Sequence, residues 1–297
     1  MFAGLIDQLD LMKHVQIDLK SLLHIGVAFL LTWCIAPALA AQPTIDGSVA
    51  GDSDYITLGQ WTQDETGFGD HGMVELRGYA DGSNLYVAVV GECESNGNEF
   101  FVFIGHDDAG GISAGTALPG GDDNISPFAS FQPTNDFEVD YGLRITASAD
   151  CDGDTAGDQP CAFASVIDYV NLTGGGQGDD QFLSSISVDG APTTYSGGPY
   201  VGMTIAYNDT GTLSANTGVE GLEFSIPLSS IGATPASEFQ LFAAYGNDDF
   251  FSANTLPEIA GQSGSNLGSN PDFSSISGDQ HSSSSPLPVE LTAFDAR

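Results

Sequence analysis

Two continuous apolar runs of strand length, Asn84–Gly91 (NLYVAVVG) and Glu99–Gly105 (EFFVFIG), constrain this chain more than any other feature. They are rich in Val, Phe and Tyr, and turn residues bound them. A strand with apolar side chains on both faces must be covered on both, so each run reads as a central, twice-buried strand. Alternating or half-buried candidates surround them: Met73–Ala80, Phe137–Ala147, Ala162–Val170, Phe182–Val188, Tyr200–Tyr207, Gly221–Ile226 and Phe239–Tyr245. No amphipathic helix of helical length is present. Pro227–Gly232 suits one helical turn with Gly232 as its stop. Parallel α/β folds need helical crossovers, which are missing here. The chain is therefore expected to be all-β, an antiparallel β-sandwich of jelly-roll or immunoglobulin-like type with about nine to eleven strands. Its 38 Gly, 14 Pro and 41% hydrophobic residues fit a folded, loop-rich β protein.

The N-terminus predicts the compartment. Lys13 and Lys20 precede an apolar run from Leu22 to Ile35, and the stretch ends in Ala38-Leu39-Ala40, a small-x-small cleavage site. Residues 1–40 thus read as a secretory signal peptide, cleaved after Ala40. The run is shorter than the roughly 20 residues a spanning helix needs, so no membrane span is expected after cleavage. The mature chain is expected to be secreted or at the cell surface. Residues 42–262 carry the strand pattern and form the expected sandwich. From 263 to 286 the sequence turns rich in Gly, Ser and Asn, a composition that buries too little apolar surface to fold alone, and it reads as a linker. Residues 287–297 (LPVELTAFDAR) resume an alternating pattern and read as the first strand of a truncated further module.

Charge excludes whole classes of partner. The chain holds 40 acids and 5 Lys+Arg, and beyond residue 40 the only cations are Arg77, Arg144 and Arg297. Three scattered arginines cannot neutralise a run of phosphates, which excludes nucleic acid and, for the same reason, anionic membrane surfaces. Carboxylate repulsion of this size is tolerable where salt screens it, so the acidity also reads as a halophilic-like surface.

Export makes disulfides permissible, and the mature chain contains Cys93, Cys151 and Cys161. Cys151 and Cys161 bracket the loop CDGDTAGDQPC, and closing so short a loop is worth roughly 2–3 kcal/mol in the chain-entropy model. That pair is the expected bridge, leaving Cys93 at a strand end as a buried free thiol; the rival pairings use Cys93.

Gly111-Ile112-Ser113-Ala114-Gly115 matches the GxSxG nucleophile elbow, which works only on a sharp strand-to-helix turn. The following TALPGGDD is not a helix, so a glycine turn is the favoured reading over a hydrolase. Calcium is the better chemical expectation, because hard cations take several oxygens from flexible loops. Asp150, Asp152, Asp154 and Asp158 stand at positions 1, 3, 5 and 9 of an EF-like loop, which lacks the turn glycine and the final acid. Asp107 and Asp108 leave a core strand, and Asp179 with Asp180 closes a single calcium-nonapeptide-like stretch. The plain alternative for each is a solvated acidic turn.

Two stretches carry a family resemblance. Pro43-Thr44-Ile45-Asp46-Gly47, Trp61 and Gly82–Val89 (GSNLYVAV) resemble the start of family-nine carbohydrate-binding modules and of sandwiches of the dopamine-monooxygenase N-terminal type. The resemblance implies a polysaccharide or cell-surface glycan as partner. Asn266–Gln280 and Leu287–Phe294 (LPVELTAF) look like secreted substrates of the type-nine secretion system, which implies an interaction with the secretion machinery through a C-terminal module absent from this chain. Sugar binding needs exposed aromatic platforms. Trp61 is the only tryptophan of the mature chain, so the two-tryptophan clamp of those modules is absent. The candidates are Trp61, Tyr79, Tyr141 and Tyr200, with core packing as the alternative for each. The expectation is a non-catalytic, glycan-binding sandwich; the alternatives are a structural or adhesive surface protein without a small ligand and, last, a hydrolase.

Overall fold

The two apolar runs become β4 (Asn84–Glu92) and β5 (Asn96–His106), each in the interior of a different antiparallel sheet. The computed structural model describes residues 42–63, 67–68, 71–123, 128–149, 160–198, 200–209, 218–259, 266–275 and 282–284, with backbone alone at 67–68 and 282–284. The described residues fall in one compact unit, Ala41–Arg297. In the first sheet the order is β1 (Ile56–Gln60), β3 (His71–Ala80), β4, β11 (Gly221–Pro227), β10 (Thr204–Tyr207) and β9 (Thr193–Thr194), with β2 (Gly67–Phe68) pairing to β3. In the second it is β13 (Phe251–Leu256), β12 (Phe239–Gly246), β5, β6 (Tyr141–Ser148), β7 (Cys161–Asp168) and β8 (Asp179–Ser187), with β14 (Ser282–Ser284) pairing to β12. The protein is an all-β antiparallel sandwich.

Alternation along the strands gives each sheet an inner and an outer face. Phe100, Val102 and Ile104 of β5 point inward and meet Leu85, Val87 and Val89 of β4 in the core between the sheets. The intervening residues are buried as well, because loops cover both outer faces. On the second sheet Phe101, Phe103, Phe242 and Phe251 pack under Leu118, Phe128, Phe131 and Phe137 of the β5–β6 connection. That connection lies so close that a Cβ at Gly105 would stand 2.1 Å from the Glu138 carbonyl oxygen, which is why glycine occupies the position. On the first sheet Tyr79, Tyr86, Ala88 and Val90 are covered by Val49 and Tyr55 of the N-terminal segment.

The IDG motif owes its conformation to one carboxylate. Glu223 on β11 accepts the Asp46 and Gly47 amides at 2.9 and 3.1 Å and the Tyr55 hydroxyl at 2.8 Å. Gly47 has φ +81°, and a Cβ there would lie 2.9 Å from Asn208, so the motif answers to a left-handed, tightly covered turn. In the next motif Asp81 Oδ1 accepts the Ser83 and Asn84 amides at 2.6 and 2.7 Å, an Asx turn that starts β4.

The structure differs from the linear reading in two respects. Part of the stretch read as a linker packs on the second sheet. Phe273 is fully buried, with its ring centroid 5.0 Å from that of Phe242 and 6.0 Å from that of Phe251. The Leu267 amide donates to the Phe251 carbonyl and the Phe251 amide to the Gly268 carbonyl, and β14 pairs with β12. One phenylalanine facing an existing apolar patch supplies the driving force that the Gly/Ser composition conceals. The strands number fourteen among the described residues, and the additions to the expected set are β1, β13 and short pieces whose polar sequences carry no period-two signal. The turn expected at Pro227–Gly232 is a 3-10 turn over Leu228–Ser230, with Gly232 at φ +71° after it. Among the described residues no helix is long and apolar enough to cross a membrane.

Candidate functional site

The four aromatic candidates do not form a platform. Trp61, Tyr79, Tyr141 and Tyr200 are 4, 4, 5 and 1% exposed, and all nine tyrosines of the chain are buried. The Tyr141 and Tyr200 hydroxyls donate to the Ile231 and Ile167 carbonyls at 2.9 and 2.8 Å, and the Tyr79 ring lies against Tyr86. A strand aromatic finds its apolar surface in the core and its polar tip a backbone acceptor, which is the alternative reading of each.

The acidic candidates divide. Asp150, Asp152, Asp154 and Asp158 lie outside the described residues, as does Cys151. Cys161 is disulfide-bonded, and Cys93 is a buried free thiol whose Sγ stands 2.9 Å from the Asn98 carbonyl. Asp107 and Asp108 tie down the β11–β12 connection: Asp107 accepts the Glu238 amide at 2.9 Å, and Asp108 accepts the Thr234 and Ser237 hydroxyls. Those two hydroxyls hold the Asp108 carboxyl below the usual range. Asp180 is fully buried, accepts the Asp123 amide at 2.6 Å, and fills the space where a Cβ of Gly121 would stand. Among the described residues no three His, Cys, Asp or Glu side chains are grouped to hold a metal ion. Ser113 of the GxSxG stretch is exposed in a turn whose closing bond runs from the Thr116 amide to the Ser113 carbonyl, and no helix follows.

The loop cover of the second sheet stops short of the β5 N-terminal end, and an open cavity of about 490 Å³ lies there, lined by Glu99, Arg144, Thr146, Phe163, Phe182 and Asp248. Strand register builds it as two rows. One runs Gly246, Glu99, Thr146, Phe163 across β12, β5, β6 and β7; the other runs Phe101, Arg144, Ser165, Phe182 across β5 to β8. Phe182 is the most exposed large apolar side chain described, at 52%, and its ring centroid is 6.2 Å from that of half-buried Phe163. Asp248 overlooks the pocket from the β12–β13 turn.

Beneath the rings the floor is polar. Arg144 Nη1 lies 2.6 Å from Glu99 Oε1, and the Thr146 hydroxyl donates to the same oxygen at 2.6 Å. Glu99 is fully buried and Arg144 is 8% exposed. Burial pushes the Glu99 carboxyl up to about 8 although Arg144 and Thr146 pull it down. Among the described residues, Glu99 Oε2, Arg144 Nε and Ser165 Oγ are buried without a hydrogen-bond partner. A buried polar atom without a partner costs roughly 1–3 kcal/mol; Glu99 and Arg144 line the cavity, and Ser165 lies beside Arg144 in the strand register.

No protein-family model, curated protein or solved structure matches the chain.

Linear reading missed Glu99, Arg144, Phe163 and Phe182 because each sits inside a segment that identifies itself as strand. One signal was available. Arg144 is one of three cations after residue 40 and interrupts an otherwise apolar strand, Tyr141–Ser148 (YGLRITAS), at an outward position. A charge there must meet a counter-charge on a neighbouring strand or face solvent.

Proposed function

We propose that the chain is a secreted, non-catalytic β-sandwich that binds glycan on the outer face of its second sheet, with Phe182 and Phe163 as the platform. The observation that carries the reading is exposed Phe182 paired with half-buried Phe163, lining one cavity with Glu99 and Arg144, whose buried polar atoms lack partners among the described residues. A sugar ring offers apolar C–H faces to an aromatic ring and hydroxyls that both donate and accept. Arg144 Nε and the protonated Glu99 carboxyl would both serve as donors to hydroxyl oxygens. A concave, partly apolar site with a few convergent polar groups is the usual form of a small-ligand site. The likeness of the PTIDG and GSNLYVAV stretches to carbohydrate-binding modules points the same way, with the platform moved from Trp61 and the tyrosines to the two phenylalanines. The leader-like residues 1–40 and the LPVEL stretch support export through the type-nine route. Calcium, if bound, belongs to the Asp150–Asp158 loop.

A structural or adhesive role is the second reading, favoured by the burial of Trp61 and every tyrosine, which leaves no extended aromatic strip among the described residues. The two separate in titration of neutral oligosaccharides by calorimetry, wild type against Phe182→Ala. Phe182 is half exposed, so its loss should leave the melting temperature nearly unchanged. The glycan reading expects affinity to fall about tenfold or more, equivalent to roughly 1.4 kcal/mol. Equal affinity in the two proteins, or no binding by either across a broad panel, favours the structural reading.

A further inference from the structure

We infer that the ligand of this site carries an uncharged acetamido group, as in a 2-acetamido sugar; the inference rests on the glycan reading and narrows it. Hydrogen-bond polarity of the cavity floor is the first reason. Arg144 spends its Nη1 protons on Glu99 Oε1 and the Thr146 hydroxyl, and Thr146 gives its own proton to the same Oε1. Among the described residues, Arg144 Nε and Nη2 are left without an acceptor. Glu99 Oε2 has no partner there either. Since Oε1 already accepts two bonds, the proton that burial holds on this carboxyl until about pH 8 sits on Oε2 and is a further donor. The floor therefore offers donors and lacks an acceptor. A carbonyl oxygen has two lone pairs, and the parallel Nε–H and Nη2–H of a guanidinium edge match it.

The walls decide what must stand beside that acceptor. Phe163 faces Thr146 directly from β7 and Arg144 on the diagonal, about 7–8 Å away, a span that an aromatic side chain covers. Phe182 follows Arg144 and Ser165 in the neighbouring row. An acetamido group joins a carbonyl to a methyl, so its oxygen can meet the guanidinium while the methyl lies against a ring. A carboxylate would meet the same donors, but it brings no apolar part. It would also approach a chain of formal charge −35, with Asp248 on the lining of the cavity. A hydroxyl accepts as well, yet it has no methyl for the rings and must place its own proton.

The test is calorimetric titration of N-acetylglucosamine, glucose and galacturonate tetrasaccharides into wild type, Phe182→Ala and Arg144→Lys, at about pH 6, where Glu99 holds its proton. Lysine keeps the charge and a donor but has no fork. The inference expects the acetamido oligomer to bind wild type about tenfold or more tightly than either of the others. Phe182→Ala should weaken the acetamido and glucose oligomers alike, and Arg144→Lys, once its circular dichroism shows it folded, should reduce the acetamido affinity to that of glucose. The inference is overturned if the glucose or galacturonate oligomer binds wild type as tightly, or if folded Arg144→Lys keeps the margin. In either case the glycan reading survives as long as Phe182→Ala still weakens binding. Should Arg144→Lys not fold, the three oligomers on wild type decide the inference by themselves. Absence of binding by all three overturns both.

Discussion

Phe273→Ala tests whether the segment after β13 belongs to the fold. Phe273 is fully buried and touches Phe242 and Phe251, which themselves lie on the outer face of the second sheet. Truncating a buried Phe to Ala typically costs about 3–5 kcal/mol, from lost transfer energy and the cavity left behind. The site cannot collapse easily, because backbone bonds pin the segment on both sides. The Thr134 amide donates to the Pro271 carbonyl and the Thr134 carbonyl accepts the Ser274 amide, and Gln132 donates its amide to Asn270 Oδ1 at 2.9 Å. For a domain of this size 1 kcal/mol shifts the melting temperature by about 2–4 °C, so the substitution should lower it by roughly 6–20 °C. Urea unfolding at constant temperature should show the midpoint falling with little change in slope, as expected when stability alone changes. A shift under about 2 °C would mean that 266–275 is a tether lying on the surface, and the account of the second outer core would fail.

Glu223 sets a pH dependence of defined sign. Burial raises its carboxyl from 4.5 to about 7, so the folded state holds a proton that the unfolded chain has released. Its contribution to stability is full below about pH 4.5 and is lost as pH rises to 7, at up to about 1.4 kcal/mol per pH unit; Glu99 acts in the same sense up to about 8. Urea midpoints measured across that range should fall less steeply in Glu223→Gln, and an unchanged slope would refute the assignment. Calcium at millimolar concentration should raise the melting temperature more than equal magnesium, and Asp152→Ala with Asp154→Ala should abolish the difference; coincident curves would dismiss the site. Non-reducing peptide mapping should link Cys161 to Cys151 and find Cys93 unmodified until the protein is unfolded, whereas a bridge to Cys93 would overturn the pairing.

What could be read from the chain followed how each residue's role is encoded. The twice-buried strands β4 and β5 were legible because burial on both faces leaves a local signature, an unbroken apolar run. Strand β13, Phe251–Leu256 (FSANTL), is fully buried yet carries Ser, Asn and Thr, since Asn254 exchanges hydrogen bonds with the Met73 backbone on the other sheet. A polar residue satisfied by a partner 181 positions away gives no local signal. The candidate site was hidden for the same reason. Glu99, Arg144, Phe163 and Phe182 are neighbours only through the register of β5 to β8. The acidic loops misled in the opposite direction: Asp and Gly also serve turns, and Asp107, Asp108 and Asp180 spend their oxygens on backbone amides and hydroxyls of adjoining loops.

The central claim is that ligand binds on the outer face of the second sheet at the Phe163–Phe182 pair. Amide shift mapping by NMR on the isotope-labelled protein, titrated with the tightest-binding oligosaccharide, tests it most directly. The account predicts saturable shifts confined to residues near Glu99, Arg144–Thr146, Phe163–Ser165, Phe182 and Asp248, with the first sheet silent. Shifts centred on the first sheet or on the Asp107–Asp108 end of β5, with none around Phe182, would contradict it.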